Sequence, residues 1–194
     1  MNRILGNRNF ALLWTAQFIE QIGDSLTLMT LIAWAMSMPA QSGSSSMNMS
    51  VLMFFIGLPI IFLGPFAGVF IDRMKRKIIL ILSAVFKGTA IFFMFLFIGD
   101  KGLVPLIFFT AFLMSVASQF FIPAKSSFIP KLVAKQELLI ANSVSAVTTV
   151  IVQIVGFAIA GIIIASMGFQ KTVMLAVIAY VLVLTALSFI SVNE

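Results

Sequence analysis

Six apolar stretches, near 10–38, 47–71, 78–98, 103–122, 138–165 and 172–192, account for almost the whole of this chain. A hydrocarbon core about 30 Å thick is crossed by about 20 apolar residues in a helix, and within it every backbone N–H and C=O must be bonded inside the protein. The runs are continuous rather than alternating, which argues against barrel strands and leaves helices as the spanning structure. The expected fold is therefore all-α: a polytopic membrane protein with six transmembrane helices. Three of the stretches exceed the length required, and Pro59 and Pro65 in the second are places for a kink. Composition agrees, since 61% of the 194 residues are hydrophobic and 9% charged, against about 25% charged in soluble domains. The amino-terminal run is too long for a signal-peptide core and has no small-residue cleavage pattern behind it, so it is expected to be a retained span.

The net charge of +6 is not that of a nucleic-acid binder, because the bases flank apolar runs and the aromatics are nearly all Phe within them. It reads instead as topology. Arg3, Arg8, Arg73, Lys75, Arg76, Lys77, Lys125, Lys131 and Lys135 fall on one side of the six spans. The opposite side has Lys101 and Lys171, and its first connection, "PAQSGSSSMNMS", has no base at all. By the positive-inside rule both termini are expected in the cytoplasm and the chain in the cytoplasmic membrane. With no Cys and no His, disulfides, the usual zinc sites and thiol or imidazole catalysis are excluded. No enzyme activity, metal or cofactor is expected, and any proton chemistry falls to carboxylates.

Two patterns go beyond topology. In the first span Gln17, Glu20, Gln21 and Asp24 stand at i, i+3, i+4 and i+7, so four polar side chains share one helical face deep in the apolar run. A centred acid costs about 3 kcal/mol on insertion scales, and two acids one turn apart repel. Glu20 and Asp24 are thus candidates for holding an exchangeable proton, with pairing to Lys87 of the third span as the purely structural alternative. Ser115, Ser118 and Gln119 in the fourth span, and Asn142, Ser145, Thr149 and Gln153 in the fifth, repeat the stripe more weakly. Gln17, Gln21, Asn142 and Thr149 are the candidates for lining a common cavity. The second pattern is Gly57, Gly64, Gly68 and Asp72, spaced seven, four and four, which lines one helix face with small residues and ends it with an acid.

The stretch "GVFIDRMKRK" resembles the signature that the major facilitator superfamily carries between its second and third spans. Gly68, Asp72, Arg73, Arg76 and Lys77 match it, while Lys75 stands where the family has Gly. "RNFALLW", "QIGDSL" and "FFIPAKSSFIPKLVAKQELLIANS" are similar to bacterial efflux permeases of the macrolide-exporter type, and "GFAIAG" (156–161) resembles the antiporter motif with Phe157 and Ala160 at its Pro and Gly positions.

The resemblance implies that residues 1–194 form the amino-terminal six-helix bundle of a twelve-helix fold, itself an inverted three-plus-three repeat, with the carboxy-terminal bundle absent. It also implies that Gly68, Asp72, Arg73, Arg76 and Lys77 form a conformational latch against the other bundle. The function expected is proton-coupled export of an amphipathic drug-like compound. Export of a lipid or siderophore, or a non-transporting partner role, are the alternatives. The expected partners are the bilayer, a small-molecule substrate and a second six-helix bundle, whether the missing half or another copy. The amphipathic stretch from Pro123 to Glu137, with Phe128, Ile129 and Leu132, is read as a cytoplasmic connection, and Lys87 has no assigned role.

Overall fold

A computed structural model describes residues 6–37, 45–98 and 104–191, the side chains of Ser45, Ser46, Val69, Asp72 and Val104 excepted. Arg3, Lys101 and half of the uncharged first connection lie outside the described residues. Among those described, regular structure is helical throughout. The order is α1 (Arg8–Ser37), α2 (Ser45–Arg73), α3 (Arg76–Phe97), α4 (Val104–Leu132), a single 3-10 turn (Lys135–Glu137), then a 51-residue helical stretch, Leu138–Ser188.

That last stretch is too long for one crossing, and it is broken at Gly168, where φ is 79° and ψ 173°. A side chain is strained at such a φ whereas glycine is not, so the break sits on the residue that costs least there. Nothing lies within 4 Å of a Cβ built at Gly168, so the demand is conformational rather than steric. We refer to its two arms as α5 (138–167) and α6 (169–188).

Pairings show that the arms run in opposite directions. Along α1 and α5 contacts advance together: Trp14 Nε1 donates to Thr148 Oγ1 at 2.9 Å, Ser25 lies against Gly156, and Met29 faces Gly161. Along α1 and α6 they run in reverse, with Asn9 bonded to Ser191 and Gly23 packed on Ala179 and Tyr180. α2 and α4 are parallel, joined by a Phe55–Phe108 stack with ring centroids 5.8 Å apart, a Ser115 Oγ bond to the Ile56 carbonyl (2.6 Å) and a Phe70–Phe120 edge contact.

Four stretches are long and apolar enough to cross a membrane: Met47–Gly68, Arg76–Phe97, Pro105–Leu132 and Lys135–Ser188, the last containing the break. α1 is not among them, because its polar stripe dilutes the run. Large apolar side chains point outward, Ile61 72% and Phe62 63% exposed on α2 and Ile162 68% on α5. In water such a surface would drive association; against acyl chains it is the expected one. Hydroxyls buried in α1 are satisfied locally, as Thr27 and Thr30 donate to the carbonyls of Gly23 and Leu26 one turn back.

The bases gather at one end of the bundle. Arg8, Arg73, Lys75, Arg76, Lys77, Lys131 and Lys135 sit where α1, α3 and α5 begin and α2 and α4 end, whereas Lys171 lies by the Gly168 break at the other end. The tight link after α2 needs no glycine, since Lys75 has φ −64° and ψ 123°.

One expectation is corrected. The segment from Pro123 to Glu137 is not wholly a connection: α4 continues through Pro123 and Pro130 to Leu132, with Phe128, Ile129 and Leu132 buried in the core, and 133–137 alone link it to α5. Proline is tolerated in membrane helices where neighbouring groups satisfy the freed carbonyl, and packing of that apolar face outweighs the lost bond.

Candidate functional site

Four helices, α1, α2, α4 and α5, enclose a pocket of about 710 Å3. α1 contributes Glu20, Gln21, Asp24, Ser25, Leu28 and Leu31, and α2 contributes Ile56 and Ile60. From α4 come Ser115, Ser118, Gln119 and Lys125 among others, and from α5 Asn142, Ser145, Thr149, Gln153 and Phe157. The volume lies within the range of small-molecule sites, about 300–1,000 Å3.

At the wall between α1, α3 and α6 lies a buried charge cluster. Lys87 Nζ donates to Glu20 Oε1 at 2.6 Å and to Asp24 Oδ2 at 2.8 Å. Tyr180 Oη donates to the other oxygen of Asp24. The ammonium also lies 5.5 Å from the centroid of the Phe121 ring and 6.0 Å from that of Tyr180, within cation–π range. α1 carries the two acids one turn apart, so both reach a single cation. Gly88 next to Lys87 lets Tyr180 approach, a Cβ there falling 3.4 Å from Tyr180 Cβ. Gly23 is indispensable to the same contact: a Cβ would sit 2.9 Å from the Tyr180 ring.

The cluster is unequal in exposure. Lys87 is 1% exposed and the Glu20 side chain 6%, but Asp24 is 25% exposed, toward the pocket. Glu20 and Asp24 ionised against one ammonium carry net charge −1, and one proton makes the group neutral.

Of the residues expected to line a cavity, Gln21, Asn142 and Thr149 do. Gln17 does not. Its amide donates to the Ser145 carbonyl and to Thr149 Oγ1, both at 2.8 Å, and its Oε1 accepts from Ser145 Oγ at 2.6 Å, so it fastens α1 to α5. With both ends of the amide engaged, turning it into the pocket would leave buried polar groups unpaired.

The latch residues divide similarly. A Cβ at Gly57 or Gly68 meets nothing within 4 Å, and one at Gly64 meets only Gln119 Oε1 at 3.7 Å, so the glycine face of α2 is open. Arg73 is exposed, and Arg76 buries an Nε without a hydrogen-bond partner. Lys77, expected in the latch, donates instead to the Ser188 and Ile190 carbonyls at 3.1 and 2.6 Å, capping the end of α6. The Asp72 side chain lies outside the described residues.

Two participants, Tyr180 and Lys125, escape sequence reasoning. Tyr180 is the chain's one tyrosine, set in the apolar run "VIAYVLV", and that singularity was its only signal. Lys87 makes the pairing with the acid stripe that the sequence offers as the structural alternative. Lys125 was counted as a surface base but is 9% exposed and lines the pocket.

Membrane-length helices around a pocket that carries its own buried acids and cation define a polytopic membrane protein. The chain belongs to the major-facilitator-type family described as transmembrane secretion effector, whose profile matches residues 4–193. It is similar to the uncharacterized MFS-type transporter YfiS of Bacillus subtilis (strain 168), 29% identical over 162 residues that cover 82% of this chain and 36% of YfiS. It is also similar to the uncharacterized MFS-type transporter YkuC of the same organism, 25% identical over 181 residues, 92% of this chain and 41% of YkuC. The chain thus matches less than half the length of each of these relatives.

Proposed function

We propose that this chain is the amino-terminal six-span bundle of a proton-coupled exporter of an amphipathic compound, residing in the cytoplasmic membrane with both ends in the cytoplasm. The observation that carries the reading is the Glu20–Lys87–Asp24 cluster, which opens on the pocket through Asp24. Intramembrane ionisable groups are expensive and are as a rule functional. A proton arriving from the pocket meets Asp24 first, and Glu20 lies behind it on the same cation. Neutralising either acid weakens its hold on Lys87 and so loosens α1 from α3, which links proton occupancy to helix packing.

In this reading α1 is the first of six spans despite its polar stripe, and the two triplets α1–α3 and α4–α6 form an inverted repeat. Its support is the glycine pairs at corresponding places, Gly64 with Gly68 in α2 and Gly156 with Gly161 in α5. The open face of α2 with Gly68, Asp72 and Arg73 is where a second bundle would dock, and alternating access would rock the two bundles about a shared cavity. Export, and a drug-like substrate, rest on the resemblance to macrolide-efflux permeases.

The test is transport in proteoliposomes holding this bundle together with its partner bundle. Glu20→Gln or Asp24→Asn should abolish the dependence of flux on an imposed pH gradient while leaving the protein inserted. Unchanged coupling in both variants would leave the cluster with a packing role alone.

A further inference from the structure

Lys125 stands apart from the bundle's other buried cation. Lys87 is met by two carboxylates. Lys125, 9% exposed and facing the pocket, makes no ion pair and no hydrogen bond among the described residues. Glu20 acts on it through space but is already held by Lys87. An ammonium withdrawn from water with no paired anion is costly, and an arriving anion recovers that cost.

The pocket's polarity runs along the bundle axis. Lys125 is seven residues before the end of α4, about 10 Å from the base-rich end at 1.5 Å per residue, and Ser126, Asn142 and Ser145 share that end of the pocket. Toward the opposite end the walls are mainly apolar, with Leu28, Leu31, Ile56, Ile60 and Phe157, and Ser25, Thr27, Ser115 and Gln153 lie among them.

We propose that the pocket takes an amphipathic anion, its phosphate or carboxylate on Lys125 and its apolar body directed away from the base-rich end. This rests on the reading of the pocket as a substrate cavity and names the chemical class of its occupant. A cationic amphiphile meets the unpaired ammonium of Lys125 while the acids on the wall, Glu20 and Asp24, are already held by Lys87 and Tyr180, and a free inorganic anion leaves the apolar lining unused.

The chain lacks cysteine, so Ser118→Cys on the pocket wall gives a single reporter. In phosphatidylcholine nanodiscs, protection of that thiol from a maleimide is measured against dodecyl phosphate, dodecyltrimethylammonium and inorganic phosphate. Dodecyl phosphate should half-protect at a concentration about tenfold below that of the cationic probe, the scale of one charge-assisted hydrogen bond. Lys125→Gln should remove the difference, Lys125→Arg should keep it, and Lys135→Gln at the exposed bundle end should leave it unchanged. Inorganic phosphate protecting as well as dodecyl phosphate would show a free-anion site and overturn the amphiphile assignment. Equal protection by both amphiphiles in the unsubstituted pocket, or a preference that survives Lys125→Gln, would overturn the role of Lys125 while leaving the cavity reading intact. Protection by neither amphiphile would overturn both.

Discussion

Replacing Lys87 with Met should destabilise the bundle, and the size of the loss follows from how deeply each partner is buried. The substitution keeps an unbranched side chain of similar length and removes the charge. Removing one member of a buried ion pair costs about 3–5 kcal/mol, because the remaining charge is left uncompensated. Glu20, 6% exposed, bears that penalty nearly in full, whereas Asp24, 25% exposed, keeps its bond from Tyr180 and some access to the pocket. The lower end, about 3 kcal/mol, is therefore expected.

For a chain of this size each kcal/mol shifts Tm by about 2–4 °C, so Lys87→Met should melt about 6–12 °C below wild type. Thermal unfolding in a neutral detergent, followed by the fluorescence of Trp14 and Trp34, measures it. The triple variant Lys87→Met, Glu20→Gln, Asp24→Asn should recover most of the loss, since a buried charge group replaced as a unit is often neutral or better. A single variant within about 2 °C of wild type, under 1 kcal/mol, would refute the argument. So would a triple variant no more stable than the single.

Gly156 and Gly161 should differ sharply in tolerance to alanine. A Cβ at Gly156 falls 2.7 and 2.8 Å from Ser25 Oγ and Cβ, so Gly156→Ala should cost about 1–3 kcal/mol by overpacking, and Ser25→Gly should relieve it in the same melt; at Gly161 the nearest atom is Met29 Cε at 3.9 Å, and alanine should be accommodated. Single cysteines at the exposed positions Lys75 and Gln170 should label from opposite faces of intact membranes, and labelling from one face would overturn the assignment of the bundle's ends.

The spans and the acid stripe were legible because both depend on spacing along a single helix. Continuous apolar runs mark the helix ends to within about four residues except at α4, which runs ten residues past 122, and the i, i+3, i+4, i+7 spacing puts Gln17, Glu20, Gln21 and Asp24 on one face before any neighbour is known. What lay between helices was not legible. Gln17 belongs to the same stripe as Gln21, yet the two differ by one turn in height and about 40° around α1, and one fastens to Ser145 while the other meets the pocket. The apolar run of the fourth span ends near 122, whereas α4 continues to Leu132, and Lys125, beyond the run, therefore reads as a base on the cytoplasmic side rather than as a pocket residue. Tyr180 left no periodic trace, since one hydroxyl in an apolar run does not alter the pattern.

The cluster that closes the bundle is also spread widely along the chain: Lys87 lies 63 residues after Asp24, and Tyr180 156 residues after it. At synthesis rates of about 5–20 residues per second, the cation emerges roughly 3–13 s, and the tyrosine roughly 8–31 s, after the acids. Throughout that interval α1 lacks the ammonium that later holds its two carboxyls, and a helix carrying such acids enters lipid at a cost. It must wait beside the protein-conducting channel, or carry protons on both acids, until α3 is made. α1 thereby settles with α3 rather than before it, and this step of assembly is written into the distance between Asp24 and Lys87.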